Sequence, residues 1–386
     1  MDVVQGHSCR RSSRRHPERR LLHSPPRPKA PTDLFVALTP ERVLDAVEAS
    51  GVRAAAGCFP LNSYENRVYL VRLTDGGQLI AKFYRPRRWS RGQILEEHRL
   101  LDDLAAAEIP VCGVLPFPDG ETLKSICGVP YALFEYRPGR PVGDPDDVLL
   151  ERVAMMAARI HAVGARGSFA TRRTLTAADW IRGPVATLLS SRLVPSNLRG
   201  RYQDAAEHIA DAADARLSGL TQLRLHGDLH RGNLLLHDGV LQVLDLDDAC
   251  TGPAIQDLWL MLSGSPDDRA RQLGVLIAAY ERFRPFDRRE LTALDVLPAM
   301  RRIHYAGWIA RRWHDPLFPR TWPDYAEPAF WAQEVGEIEA IARALPLRPR
   351  APQAVGEEGD ADFRVDHGDD TWSEELTQKD YFWDLE

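Results

Sequence analysis

The sequence predicts an α+β chain in two lobes, a small antiparallel-sheet lobe over residues 32–137 and a larger, mainly helical lobe over 138–348. Three observations predict it. β-rich runs joined by turn signals crowd the first part of the chain. Apolar residues at helical spacing dominate the second part. A polar segment with a short hairpin, residues 226–248, interrupts the helices. A chain of 386 residues, 44% of them hydrophobic, is long enough to bury a core of that size.

Taken in order, residues 1–30 carry a net charge of +6 with Pro25, Pro26 and Pro28. Residues 1–31 therefore read as a disordered basic extension, and a nucleic-acid role for it is not favoured. It lacks the apolar core of a signal peptide. Thr39-Pro40-Glu41 starts a helix, with a capping hydroxyl and Pro at the first helical position, running to about Ser50-Gly51. Residues 67–73 and 78–84 read as strands joined by the turn Asp75-Gly76-Gly77, which puts Lys82 on the second strand. Ser90 with Gln93 forms a capping box at the next helix start. Ile94, Leu101 and Leu104 mark its inward face, and Glu97 falls on that stripe. A buried carboxylate needs a partner, and Lys82 is the natural one. Glu96, the rival, suits the solvent side. Residues 129–136 read as the last strand of the lobe, broken by Arg137-Pro138-Gly139.

In the second lobe, residues 144–162 read as a helix in which His161 is a packed or capping residue. Residues 176–217 are helical with breaks, and 255–262 open a further run of helices. Residues 300–331 are dense in aromatic rings; core packing accounts for most of them, and a substrate-side wall near Arg311 and Arg312 is the sharper reading. Residues 351–386 carry a net charge of −10, so the stretch 349–386 reads as a largely disordered acidic tail. Its aromatic end, residues 380–384, is either incidental or a docking element.

The chemistry concentrates in Leu225-His226-Gly227-Asp228-Leu229-His230-Arg231-Gly232-Asn233 and the following hairpin. Leu234–Leu236 and Val240–Leu244 read as its strands, joined by His237-Asp238-Gly239. That pairing brings Asn233, at its start, beside Asp245, at its end. Two carboxylates and an amide oxygen suffice for phosphoryl transfer from a magnesium nucleotide. Asp228 would orient or deprotonate the accepting hydroxyl. Asn233 and Asp245 would hold Mg²⁺, a hard ion suited by oxygen ligands.

The spacing His226-Gly-Asp-x-x-x-x-Asn233 resembles the catalytic loop of the aminoglycoside-phosphotransferase-like branch of the protein-kinase fold, where protein kinases have Arg in place of Gly227. The run Asp245–Ala249 followed by Gly252–Trp259 is similar, within that branch, to the stress response kinase A family, described as serine/threonine protein kinases. The resemblance covers roughly residues 32–345. It implies ATP as co-substrate, catalytic roles for Asp228 and Asp245, and a phosphate-binding Lys82 paired with Glu97. It also implies a hinge near Glu135 and Tyr136 whose backbone bonds adenine, and an Asp257 that holds the catalytic loop from behind. The loop Leu61–Asn66 lacks the glycines of protein kinases. Phosphate contact there falls to backbone N–H groups, to the Ser63 hydroxyl, or to the amides of Asn62 and Asn66. Ser63 is also placed for autophosphorylation.

The function implied is an ATP- and Mg²⁺-dependent kinase acting on Ser/Thr of proteins, with autophosphorylation, in bacterial stress response. The alternatives are a small-molecule hydroxyl kinase, for which an acid-lined pocket would favour a cationic amine acceptor, and a nucleotide-binding regulator without turnover. The five scattered cysteines, odd in number and without C-x-x-C spacing, fit a reducing cytoplasm. A monomer without membrane contact is expected, and the protein substrates are unidentified.

Overall fold

The computed structural model describes residues 35–346, so the basic head and acidic tail lie outside the described residues. Helix α1 (Pro40–Glu48) begins as its sequence dictates. The Thr39 side chain accepts from the Arg42 N–H at 3.4 Å, and Pro40 occupies the first turn, where no N–H is needed. Strands β1 (Ala54–Leu61), β2 (Arg67–Leu73) and β3 (Gln78–Phe83) follow as an antiparallel meander. Helix α2 (Arg91–Ala106) carries the predicted capping box. Gln93 N–H donates to the Ser90 hydroxyl at 3.3 Å, and the Gln93 side chain accepts from Ser90 N–H at 2.9 Å. Short strands β4 (Val114–Leu115) and β5 (Lys124–Ile126) both pair with β6 (Val129–Glu135), completing a sheet ordered β1-β2-β3-β6-β4. One face of the sheet, with Val71, Leu79, Phe83 and Leu133, packs with Val43 and Val47 of α1 into a core of its own.

After Glu135 the chain crosses to β7 (Arg140–Pro141). Helix α3 (Asp147–Gly164) starts three residues later than Asp144. Pro145 disfavours a helical residue before it, and Asp146 caps the helix by accepting from Leu149 N–H at 2.8 Å. A π-helical turn (Ala178–Arg182) leads into α4 (Gly183–Ser190), and α5 (Arg199–Leu217) follows the predicted break. Then come β8 (Leu223–Leu225) and the hairpin β9 (Leu234–His237) and β10 (Val240–Val243), with β7 on the outer side of β9. Strand β11 (Cys250–Gly252) returns along β8. Seven further helical pieces complete this lobe: α6 (Gln256–Trp259), α7 (Pro266–Tyr280), a 3-10 helix (Arg288–Asp295), α8 (Leu297–Arg312), α9 (Leu317–Thr321), a second 3-10 helix (Pro323–Ala326) and α10 (Pro328–Ala344). The large core runs through this lobe from Leu150 and Ile160 to Ile303 and Val335, and it reaches Leu100 and Leu104 of α2. The molecule is thus α+β with an antiparallel-sheet lobe and a helical lobe. No helix of the described residues is long and apolar enough to cross a membrane.

Candidate active site

A cleft of about 900 Å³ lies between the lobes, and Ser63, Lys82, Glu97, Tyr136, Asp228, Asn233 and Asp245 all line it. Each arrives by a local device. Asp228 follows β8 through Gly227, whose φ of +85° belongs to the left-handed region. A Cβ there would stand 2.3 Å from the Asp248 carbonyl oxygen, so only glycine fits. Asp257, on α6, fixes this turn by accepting from the N–H groups of His226 at 2.9 Å and Gly227 at 2.8 Å. Its Oδ2 also meets His161 Nε2 at 2.9 Å, and His161 Nδ1 meets the Tyr280 hydroxyl at 2.9 Å, so His161 is a buried support. The His226 ring bonds the Leu244 carbonyl at 2.8 Å, tying the loop to the residue before Asp245.

The hairpin works as its sequence implies. Leu244 N–H donates to the Asn233 carbonyl at 2.9 Å, which sets Asn233 and Asp245 at the two ends of one ladder. The Asn233 amide nitrogen donates to the Asp228 carbonyl at 2.9 Å, leaving its oxygen as the free ligand atom. Asp245 sits at φ 53°, an αL conformation that Asp tolerates, and its side chain is 51% exposed. An amide oxygen and a half-exposed carboxylate are hard donors. They fit Mg²⁺, which takes one or two protein carboxylates and completes its shell with phosphates and water.

Lys82 Nζ lies 3.2 Å from Glu97, 3.0 Å from Asp245 and 3.3 Å from Asp247. Burial works against its charge, yet these three carboxylates outweigh it and hold the ammonium well above its ordinary range. Glu97 is further fixed by Arg172 at 3.0 Å. Glu96 does not face solvent as expected. It is buried, and its carboxylate accepts from the N–H groups of Ala170, Thr171 and Arg172 at 2.7–3.2 Å, because a loop from the other lobe covers that side of α2. Ser63 accepts from Asn66 N–H at 3.1 Å, closing the loop on itself. Tyr136 and Arg137 reach the cleft, whereas Glu135 spends its N–H on the Gly113 carbonyl at 2.8 Å and its carboxylate on Arg137 at 2.7 Å.

The sequence reading missed several neighbours of these groups. Arg301, on α8, donates to Asp228 Oδ1 at 2.6 Å, and His230 Nε2 lies 3.3 Å from Oδ2. Burial pushes the Asp228 carboxyl up, but Arg301 and His230 overcome it and hold the group far below the usual carboxylate range. Arg88 binds both Asp247 and Asp248, and Asn66 donates to Asp247 at 3.2 Å. One signal pointed to Arg301. Positions 301, 304, 305, 308, 311 and 312 lie at i, i+3, i+4 spacing on one helix face, so the aromatic-rich stretch presents a polar stripe to a single neighbour.

Residues 58–294 match the phosphotransferase enzyme family (APH). The chain is 37% identical over 316 residues to stress response kinase A of Escherichia coli strain K12, covering 82% of this chain and 96% of that protein. It is 38% identical over 301 residues to the serine/threonine protein kinase RdoA of Salmonella typhimurium strain LT2, covering 78% and 91%. Among solved structures, an amicoumacin kinase in complex with AMP-PNP, Ca²⁺ and its ligand superposes with a TM-score of 0.67 at 18% identity, covering 82% of this chain and 97% of that one. A microcompartment-associated aminopropanol kinase gives 0.60 at 18% identity, covering 79% and 98%. These two likenesses establish a shared fold.

Proposed function

The chain belongs to the phosphotransferase enzyme family, with stress response kinase A among its relatives, and from that premise we propose an ATP- and Mg²⁺-dependent kinase of protein Ser/Thr hydroxyls. The observation that carries the reading is the convergence of Asp228, Asn233, Asp245 and Lys82 on one cleft. Such a constellation supplies positioning and charge, which is most of what phosphoryl transfer needs. Lys82, steadied by Glu97, binds phosphate oxygens. Asn233 and Asp245 would hold the metal, which when bound neutralises charge on those oxygens. Asp228 orients the acceptor hydroxyl. Its carboxyl is held so far below the ordinary range that it is a weak proton acceptor, so orientation suits it better than early deprotonation. Tyr136 and Arg137 bound the end of the cleft where the hinge and adenine belong, with backbone beyond the already engaged Glu135 amide as the partner.

The names of the curated relatives support protein Ser/Thr as acceptor and a place in bacterial stress response. The complete Asp/Asn/Asp set speaks against a regulator without turnover. The test is incubation of wild type and Asp228→Asn with γ-labelled ATP, alone and with generic protein substrates. Transfer by wild type should fall about 10²–10⁴-fold in the variant. Undiminished labelling by Asp228→Asn would falsify the assignment of this site.

A further inference from the structure

We infer that the acceptor bound here is itself anionic: its hydroxyl reaches Asp228 while a neighbouring carboxylate or phosphate is held by Arg173 and Arg311 on the helical-lobe wall. This rests on the phosphotransfer reading above and adds the charge of the substrate. Most charged groups lining the cleft are already matched. Lys82 meets Glu97 and Asp245, Arg88 meets Asp247 and Asp248, Arg312 meets Glu65, and Arg301 meets Asp228. The half-buried Arg173 and the exposed Arg311 line the same cleft, with no carboxylate of the described residues within ion-pair distance. Arg173 only stacks on Trp89, its guanidinium 5.1 Å from the ring centre.

The two guanidiniums also repel each other. Burial first, and then the Arg173 charge, lower the Arg311 pKa. Between Arg301 and Arg311 along α8 comes His304, packed on Trp180 with ring centres 4.5 Å apart, its buried Nδ1 without a hydrogen-bond partner among the described residues. Burial and then Arg173, Arg311, Arg312 and Arg301 hold this imidazole neutral, far below its ordinary range. Guanidiniums without a carboxylate partner, beside a ring that stays neutral, are a receptor for an anion. The wall is the opposite of an acid-lined one, so a cationic amine acceptor is disfavoured.

An acidic Ser/Thr peptide has this chemistry. The chain contains one, Asp369-Asp370-Thr371-Trp372-Ser373-Glu374-Glu375, within its acidic C-terminal stretch. A synthetic peptide of residues 366–380 serves as probe for the full-length enzyme, beside copies with the acids changed to Gln or to Lys. D-glycerate against glycerol probes the same charge on a small alcohol. The acidic peptide should exceed the neutral and basic copies at least tenfold in kcat/KM. Arg311→Glu and Arg173→Gln, checked for wild-type melting, should raise KM for the acidic acceptor at least tenfold and narrow or reverse the preference. Transfer to glycerate over glycerol with no peptide labelled keeps the anion subsite and makes the acceptor small. Equal rates on all three peptides and on both alcohols, or variants that raise KM for ATP alone, overturn the inference and leave phosphotransfer standing. Absence of Asp228-dependent transfer to any acceptor, the enzyme included, sinks both.

Discussion

Asp228 is held between opposing forces: desolvation favours its protonated form, and the guanidinium of Arg301 at 2.6 Å favours the carboxylate. The guanidinium wins, so the carboxyl stays ionised far below the usual carboxylate range. Remove Arg301 and burial acts with only His230 opposing it. In Arg301→Gln the Asp228 pKa rises, and protonation begins at a higher pH. The acid limb of the kcat/KM profile should therefore stand at a higher pH in the variant than in wild type. A pH profile of labelled-phosphate transfer checks this. An unmoved limb with a merely lower plateau would mean that Arg301 serves transfer or binding without tuning Asp228.

At the scale of elements, Glu290 props the start of α6, the helix that carries Asp257. Its buried carboxyl accepts from Ile255 N–H at 2.9 Å, and burial pushes its pKa up to about 7. The folded state then holds a proton that the unfolded chain has lost between about pH 4.5 and 7. The stability from this group is complete below about pH 4.5 and declines as pH rises through 7. Glu290→Gln keeps the acceptor and removes the titration. Its melting temperature should gain on wild type by about 3–6 °C between pH 5 and pH 8, read by differential scanning calorimetry. Glu290 was invisible in the sequence, whereas the caps at Thr39 and Ser90, the hairpin carrying Asn233 and Asp245, and the Lys82–Glu97 pair were legible. The difference is one of range. Caps, turns and strand register are written within a few residues, and an inward-facing acid announces its need for a cation. Glu96 was misassigned because the loop that covers it comes from more than 70 residues away. Arg301 went unremarked because periodicity tells which face of α8 is inward but not which carboxylate it meets.

For the whole molecule, the two lobes are held across the cleft by charge as well as by packing. Glu65, in the loop after β1, is salt-bridged to Arg85 at 3.0 Å within its own lobe and reaches Arg312 at 2.6 Å and Trp308 Nε1 at 2.7 Å on α8. Arg85 in turn meets Asp315 at 3.1 Å. Burial raises the Glu65 pKa, but Arg88, Arg312 and Arg85 prevail and lower it to about 2. That stability is present above about pH 4.5 and is lost as pH falls toward 2. Glu65→Gln strands the buried Arg312 guanidinium without a counter-charge, so it should cost about 3–5 kcal/mol at pH 7. The deficit should shrink as pH falls from about 4.5 toward 2, where folded wild type loses the same charge. Because the partners lie on different lobes, the variant should also open. Its radius of gyration by small-angle scattering should rise, and its KM for ATP with it. Pairing Glu65→Leu with Arg312→Met removes both charges together. A stability recovered in the double variant with the cleft still open would separate the cost of a stranded charge from the work of closure. A variant as stable and as closed as wild type would place closure in the packing of α8 against the loop instead.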